Sequence, residues 1–166
     1  MGAKYVHTNL VARDWKRLAS FYIEVFGCKP KLPERDLKGA WVDRLTNLKV
    51  AHIQGMHLLL PGGGRNGPTL EIFQYGSRKP RGLAQTDQLG FGHIAFAVED
   101  VGRTVTKIIE KGGGLVGRRI SAQIKGVGII DVAYARDPEG NIIEIQKWEY
   151  GIRDQKRSPK SKTGKE

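Results

Sequence analysis

The sequence of 166 residues predicts an α+β fold made of two βαβββ modules, and three observations carry that prediction. A segment of about 20 residues recurs at a fixed shift. Each copy changes from alternating to helix-period hydrophobicity at an aspartate, and the helix pattern ends near a glycine. Beyond each helix, turn residues divide the chain into short strand-like runs.

The repeat aligns HTNLVARDWKRLASFYIEVFG, from His7, with HIAFAVEDVGRTVTKIIEKGG, from His93, at a shift of 86. His7 meets His93, Asp14 meets Asp100, Arg17 meets Arg103, Glu24 meets Glu110 and Gly27 meets Gly113. With Ile23 on Ile109 these are six identities in 21 positions, which indicate duplication. Asp14 and Asp100 read as N-caps, and Gly27 and Gly113 stand where helices stop. Trp15, Leu18, Ala19, Tyr22 and Phe26 share one face of the first helix, and Val101, Val105, Ile108 and Ile109 one face of the second. Both are core stripes.

Strand signals follow each helix, at residues 40–45, 50–60 and 68–75 in the first copy and 116–119, 128–136 and 141–148 in the second. Asp137-Pro138-Glu139-Gly140 is a hairpin turn between the last two strands, with proline and glycine at the second and fourth turn positions. Residues 61–67, PGGGRNG, form a loop; no Gly-Lys-Ser/Thr follows, so it is no phosphate-binding P-loop. The expected organisation is a first module over residues 4–76, a linker over 77–90 rich in glycine, proline and charge, a second module over 91–150 and a basic disordered tail over 151–166.

Composition sets the outer limits. No apolar run approaches the roughly 18 residues of a membrane helix, and the N-terminal residues lack a signal-peptide pattern, so a cytoplasmic protein is expected. The single cysteine, Cys28, lies outside any CxxC or Cys/His cluster and reads as a small buried thiol. Of the net charge of +11, the last 14 residues, with six Lys/Arg and two Asp/Glu, supply +4. That tail has no aromatic residue for base stacking, and nucleic acid is not expected as a partner. The body's remaining charge, including Arg78, Lys79, Arg81, Arg118, Arg119 and Lys125, favours an anionic small-molecule substrate.

Four polar residues interrupt otherwise apolar strands. Alternation places His93, Ala95 and Ala97 on one face of their strand, with Ile94, Phe96 and Val98 turned towards the helices. His7 holds the equivalent position in the first copy. Glu71 sits in TLEIF and Glu144 in IIEIQ, where a carboxylate is costly unless paired or coordinated. A lone histidine or glutamate in a strand is ordinarily structural or solvated. One of each per module, at corresponding positions, instead suits one divalent ion (Ni, Co, Zn, Mn or Fe) held between modules packed about a pseudo-twofold axis. His52 and His57 lack repeat partners and read as structural or surface residues. No serine stands in a GxSxG turn, which excludes a serine-hydrolase constellation. Trp41, Phe73, Tyr75, Tyr134 and Trp148 are candidates for core packing or for lining an apolar pocket.

YVHTNLVARDW with the following SFY and FG, PTLEIFQY, GFGHIAFAVEDV and ARDPEGNIIEI together resemble the vicinal oxygen chelate superfamily. That superfamily includes glyoxalase I, methylmalonyl-CoA epimerase, fosfomycin-resistance enzymes, extradiol dioxygenases and bleomycin-binding proteins. The resemblance runs from Lys4 to Trp148. It implies curved mixed sheets around a metal-binding cleft, with His7 and Glu71 from one module and His93 and Glu144 from the other as ligands. The four-ligand pattern is most similar to glyoxalase I. It implies a lyase or isomerase in which the metal holds the substrate's oxygens and stabilises an enediolate while Glu144 or Glu71 moves the proton. An iron dioxygenase and a non-catalytic, bleomycin-resistance-like binding protein are the alternatives. The resemblance also implies a homodimer, with the site either within one chain or across a swapped pair. Residues 29–63 do not reproduce the substrate-loop pattern of glutathione-dependent members, so the resemblance names no substrate.

Overall fold

The computed structural model describes residues 2–150. The basic tail expected beyond residue 150 lies outside them. The first half contains β1 (His7–Val11), α1 (Trp15–Phe26), β2 (Lys29–Lys38), α2 (Ala40–Thr46), β3 (His52–Leu59) and β4 (Thr69–Tyr75). The second contains β5 (Ile94–Ala97), α3 (Val101–Glu110), β6 (Gly114–Leu115), β7 (Ile120–Ile124), β8 (Gly128–Arg136) and β9 (Ile142–Tyr150). One mixed sheet has the order β1-β4-β3-β2. The other has the order β5-β9-β8-β6, with β7 also on β8. In each, the opening strand lies parallel to the closing strand and the rest are antiparallel.

Local chemistry explains both long helices. The Asp14 side chain accepts from the Arg17 amide at 3.1 Å, and Asp100 does the same for Arg103 at 2.9 Å, which satisfies an amide donor in each first turn. Gly27 closes α1 at φ 71°, a left-handed conformation that glycine adopts without a side-chain clash. In the second copy the helix closes on Lys111, with Gly112 at φ 85° just beyond, so the stop comes two residues before the aligned glycine. Ile109, expected on the buried stripe, is 52% exposed, while Val101 and Ile108 carry the core contact.

Two strand assignments are corrected. Residues 40–45 are helical within α2, whose Val42 packs on Ala51, Ile53 and Phe73. The strand in that part of the chain is β2, an edge strand crowded with prolines and charge that among the described residues pairs only with β3, across a register shift. Residues 116–119 form a bend between β6 and β7.

One apolar core joins both halves. Leu10, Leu58, Leu70 and Ile72 of the first sheet face α1, while Ala133, Ala135, Ile143 and Ile145 of the second face α3. Phe26 of α1 stacks on Phe96 of β5 with centroids 4.1 Å apart. Tyr22 donates to Asp137 at 3.0 Å, joining α1 to the β8–β9 hairpin. The hairpin is the expected turn, closed by Gly140 N–H on the Asp137 carbonyl at 2.9 Å. Cys28 is buried as expected, and burial pushes its thiol up to about 11. Strands alternate, so the sheet faces turned away from this core carry the residues at odd positions of β1, β3 and β4 and at even positions of β8 and β9. His7, Glu71 and Glu144 fall there, and His93, just before β5, reaches Glu144.

Candidate metal centre

Glu71, near the middle of β4, anchors the first cluster. Antiparallel register sets His57 of β3 directly opposite it, and parallel register sets Asn9 of β1 on its other side. Short cross-strand distances bring all three side chains to one carboxylate. His57 Nε2 lies 3.0 Å from Oε1, Asn9 Nδ2 donates to Oε2 at 2.9 Å, and His7 Nε2 lies 3.5 Å from the same oxygen. The Glu71 side chain is only 12% exposed. Burial, outweighing the attraction of Glu71, pulls His57 below its usual value, in the direction of the neutral imidazole that binds metals.

The residues fit a divalent ion. Ligand atoms of His7, His57 and Glu71 all lie within 4.8 Å of one another. The other nitrogen of His57, Nδ1, is 2.9 Å from the Thr69 hydroxyl, an outer contact that fixes the ring with Nε2 towards Glu71. Two imidazoles and a carboxylate suit the borderline ions expected from the sequence. Sequence reasoning leaves His57 out because the 86-residue alignment gives it no partner. The readable signal is the glycine-rich loop: His57 and Glu71 stand equally far from Gly64, as facing residues of a hairpin must.

The second sheet repeats the plan with different side chains. His93 Nε2 lies 3.2 Å from Glu144 Oε2. Tyr134 of β8 faces Glu144 in register, the place His57 takes opposite Glu71, and Ala95 replaces Asn9. The Tyr134 ring packs on His93 at 5.2 Å, and burial followed by the neighbouring carboxylate raises its phenol above the usual value. The structure therefore brings the four expected residues together as two pairs. Among the described residues His93 and Glu144 do not join the His7, His57 and Glu71 group. His52 is a surface residue as expected, paired with Asp36 at 2.8 Å.

An apolar cleft of about 390 Å³ opens beside the first cluster, with Leu37, Trp41, Ile53, Phe73 and Tyr75 among its walls. Of the aromatic candidates, Trp41, Phe73 and Tyr75 line it, Tyr134 covers the second pair, and Trp148 stacks on Tyr150. Three of the expected substrate cations are already engaged, Arg78 by donating to the Arg13 carbonyl at 2.7 Å. Arg119 holds Asp131 through two bonds of 2.8 and 2.7 Å, and Arg81 donates to the Asn141 side chain.

A mixed two-sheet fold with a histidine and a glutamate on the outer face of each sheet defines a class, and comparison with known proteins gives the same class. Residues 4–145 match the family model of the Glyoxalase/Bleomycin resistance protein/Dioxygenase superfamily, and the chain belongs to that superfamily. It is 36% identical over 104 residues to a probable lactoylglutathione lyase of Synechocystis, a match covering 56% of this chain and 77% of that one. A lactoylglutathione lyase of Arabidopsis thaliana is 27% identical over 143 residues, 86% of this chain and 43% of its relative. The chain thus spans less than half of that plant protein. A glyoxalase family protein from Bacillus cereus shares the fold at a TM-score of 0.75 and 20% identity, over 89% of this chain and 95% of that one. A glyoxalase I mutant from Zea mays aligns at a TM-score of 0.59 and 25% identity, over 86% of this chain and 44% of its own. Among the described residues no helix is long and apolar enough to cross a membrane.

Proposed function

We propose that this chain is a divalent-metal-dependent lyase or isomerase of glyoxalase type, moving a proton next to a substrate carbonyl. The observation that carries this reading is the convergence of His7, His57 and Glu71 within 4.8 Å, repeated in part by His93 and Glu144 on the other sheet. His7, Glu71, His93 and Glu144 remain the proposed ligands, and His57 joins them. When bound, a divalent ion supplies Lewis-acid polarisation of the carbonyl, which acidifies the adjacent C–H.

The chain's own groups divide the remaining work. Glu71 is held by His57 and Asn9 and stays fixed. Glu144 has fewer polar neighbours, with alanine at the position of Asn9, and is the better base for taking and returning the proton. The aromatic walls of the cleft, Trp41, Phe73 and Tyr75, flank the reacting face.

The ligand pairs lie on separate sheets, and both stand beside an open edge: among the described residues β1 pairs only with β4, and β5 only with β9. A homodimer that sets β1 of one protomer near β5 of its partner completes the set. A second reading, an iron(II) dioxygenase, is favoured by the two-histidine, one-carboxylate composition of the first cluster alone, the donor set that non-haem iron(II) oxygenases use.

The test is metal content per chain after reloading apo protein separately with nickel, cobalt, zinc, manganese and ferrous iron, in wild type, His57→Ala and His93→Ala. The proposal expects about one ion per chain and loss of affinity in both variants. Retention in His93→Ala with loss in His57→Ala, and a preference for ferrous iron, moves the reading to the dioxygenase. No stoichiometric uptake of any ion refutes both and leaves the ligand-binding protein. A substrate screen of 2-oxoaldehydes with thiols, acyl-CoA epimers and catechols then separates the enzymes.

A further inference from the structure

Two clefts of different character meet at His57. One is the apolar cleft walled by Trp41 and Phe73. The other, of about 320 Å³, is lined by Lys4, Lys31 and Arg35 together with Asn66 and Thr69, and among the described residues by no carboxylate. His57 and Arg35 line both, so the two lobes adjoin at the edge of the candidate centre.

The three cations are uncompensated. Among the described residues none of them forms an ion pair, and Arg35 uses Nη1 only to donate to the Pro33 carbonyl at 2.9 Å, which orients the guanidinium. Arg119 on the second sheet shows the contrast, cancelled by two bonds to Asp131. Like charges gathered around one concavity repel, and an anion entering it relieves that repulsion while gaining charge-assisted hydrogen bonds. The neighbouring lobe offers aromatic and aliphatic walls and, apart from Glu71, no full negative charge.

We propose that this site selects an amphipathic anion, its apolar or aromatic body in the Trp41–Phe73 lobe and its carboxylate or phosphate end against Lys4, Lys31 and Arg35. The reactive carbonyl then lies between the two lobes, over the histidine–glutamate cluster. That last placement rests on the proposed catalytic reading. Charge selection does not, because the cations and walls belong to the chain whether or not an ion binds.

The test uses the full chain freed of metal, titrated with phenylbutyrate and with its uncharged amide, phenylbutyramide, while tryptophan fluorescence is followed. Trp41→Phe identifies the share of the signal that comes from the cleft. The expected result is at least about tenfold tighter binding of the carboxylate than of the amide, equivalent to one charge-assisted contact of about 1.4 kcal/mol, and a loss of that preference in high salt. Lys4→Gln/Lys31→Gln removes the preference and leaves amide binding unchanged, since both lysines line only the cationic lobe. Equal affinities, selectivity that survives the double substitution, or no binding of either probe overturns the proposal. Metal uptake measured on the same preparations keeps the two readings apart: selectivity without uptake refutes the metal enzyme and leaves the anion site standing.

Discussion

Tyr22→Phe removes one oxygen from the joint between the two halves, and its cost follows from the contacts that oxygen makes. The side chain is fully buried, and its hydroxyl donates to Asp137 Oδ2 at 3.0 Å. Asp137 also accepts from the Glu139 and Asn141 amides, each at 2.9 Å, and from Asn141 Nδ2 at 2.7 Å. Phenylalanine keeps the ring contacts with Phe21, Phe26 and Phe96, so no cavity beyond the missing oxygen opens. Hydrogen bonds to charged groups are worth about 1.5–3 kcal/mol. Asn141 still serves Oδ2 in the variant, which sets the expected loss near the lower end, about 1.5 kcal/mol. For a domain of this size that is a fall in Tm of about 3–6 °C. Urea unfolding measures the loss directly, with an unchanged m-value showing that the same surface is exposed. A change below about 0.5 kcal/mol would refute the reasoning, since the hydroxyl would then be as well satisfied by water as by Asp137.

Three further outcomes are expected. Gly55→Ala places a Cβ 2.0 Å from the Ile72 carbonyl oxygen and 2.6 Å from the Phe73 ring, so urea unfolding should show a loss of about 1–3 kcal/mol; unchanged stability would contradict the Gly55–Phe73 pairing. Thr69→Val deprives His57 Nδ1 of its partner, and ion affinity measured by competition with a chromophoric chelator should fall about 10–100-fold, whereas undiminished affinity would show that this contact does not orient the ring. Arg119→Ala should lower the urea midpoint at neutral pH only. Its bonds hold Asp131 below the ordinary carboxylate value, so their contribution is complete above the unfolded value of about 3.8 and disappears as pH falls through the depressed one. A difference that persists unchanged under strongly acidic conditions would refute that coupling.

How much was legible in the sequence depended on whether a signal was local. Asp14 and Asp100 mark helix starts because capping involves residues three apart, and Gly27 marks an end through its own backbone angle. The alternation around Glu71 and Glu144 identifies β4 and β9 because the residues flanking each carboxylate, Leu70 and Ile72 or Ile143 and Ile145, are buried and aliphatic. The edge strand β2 escapes notice because an edge needs neither alternating apolar residues nor a full row of amide donors, so prolines and charges are tolerated. AWVDRL reads as a strand because only Val42 is buried there, and a seven-residue helix shows too little periodicity to be recognised. His57 depends on a pairing between two strands. The repeat that reveals His7 and His93 conceals it, since the second copy has Tyr134 in its place.

The duplication seen in the sequence suggests two equivalent units, yet the shared interior means that neither half retains an independent existence. The apolar surface under β3 and β4 is covered by a helix that also rests on Phe96, and the floor of the second sheet meets the same body of side chains. Cutting the connection between residues 76 and 90 would leave two fragments whose unsatisfied faces are complementary to each other, so adjacency matters more to this molecule than chain continuity. The same interdependence makes damage communal. A substitution that loosens the interior of one copy weakens the scaffold beneath both histidine–glutamate pairs, including the pair it does not touch.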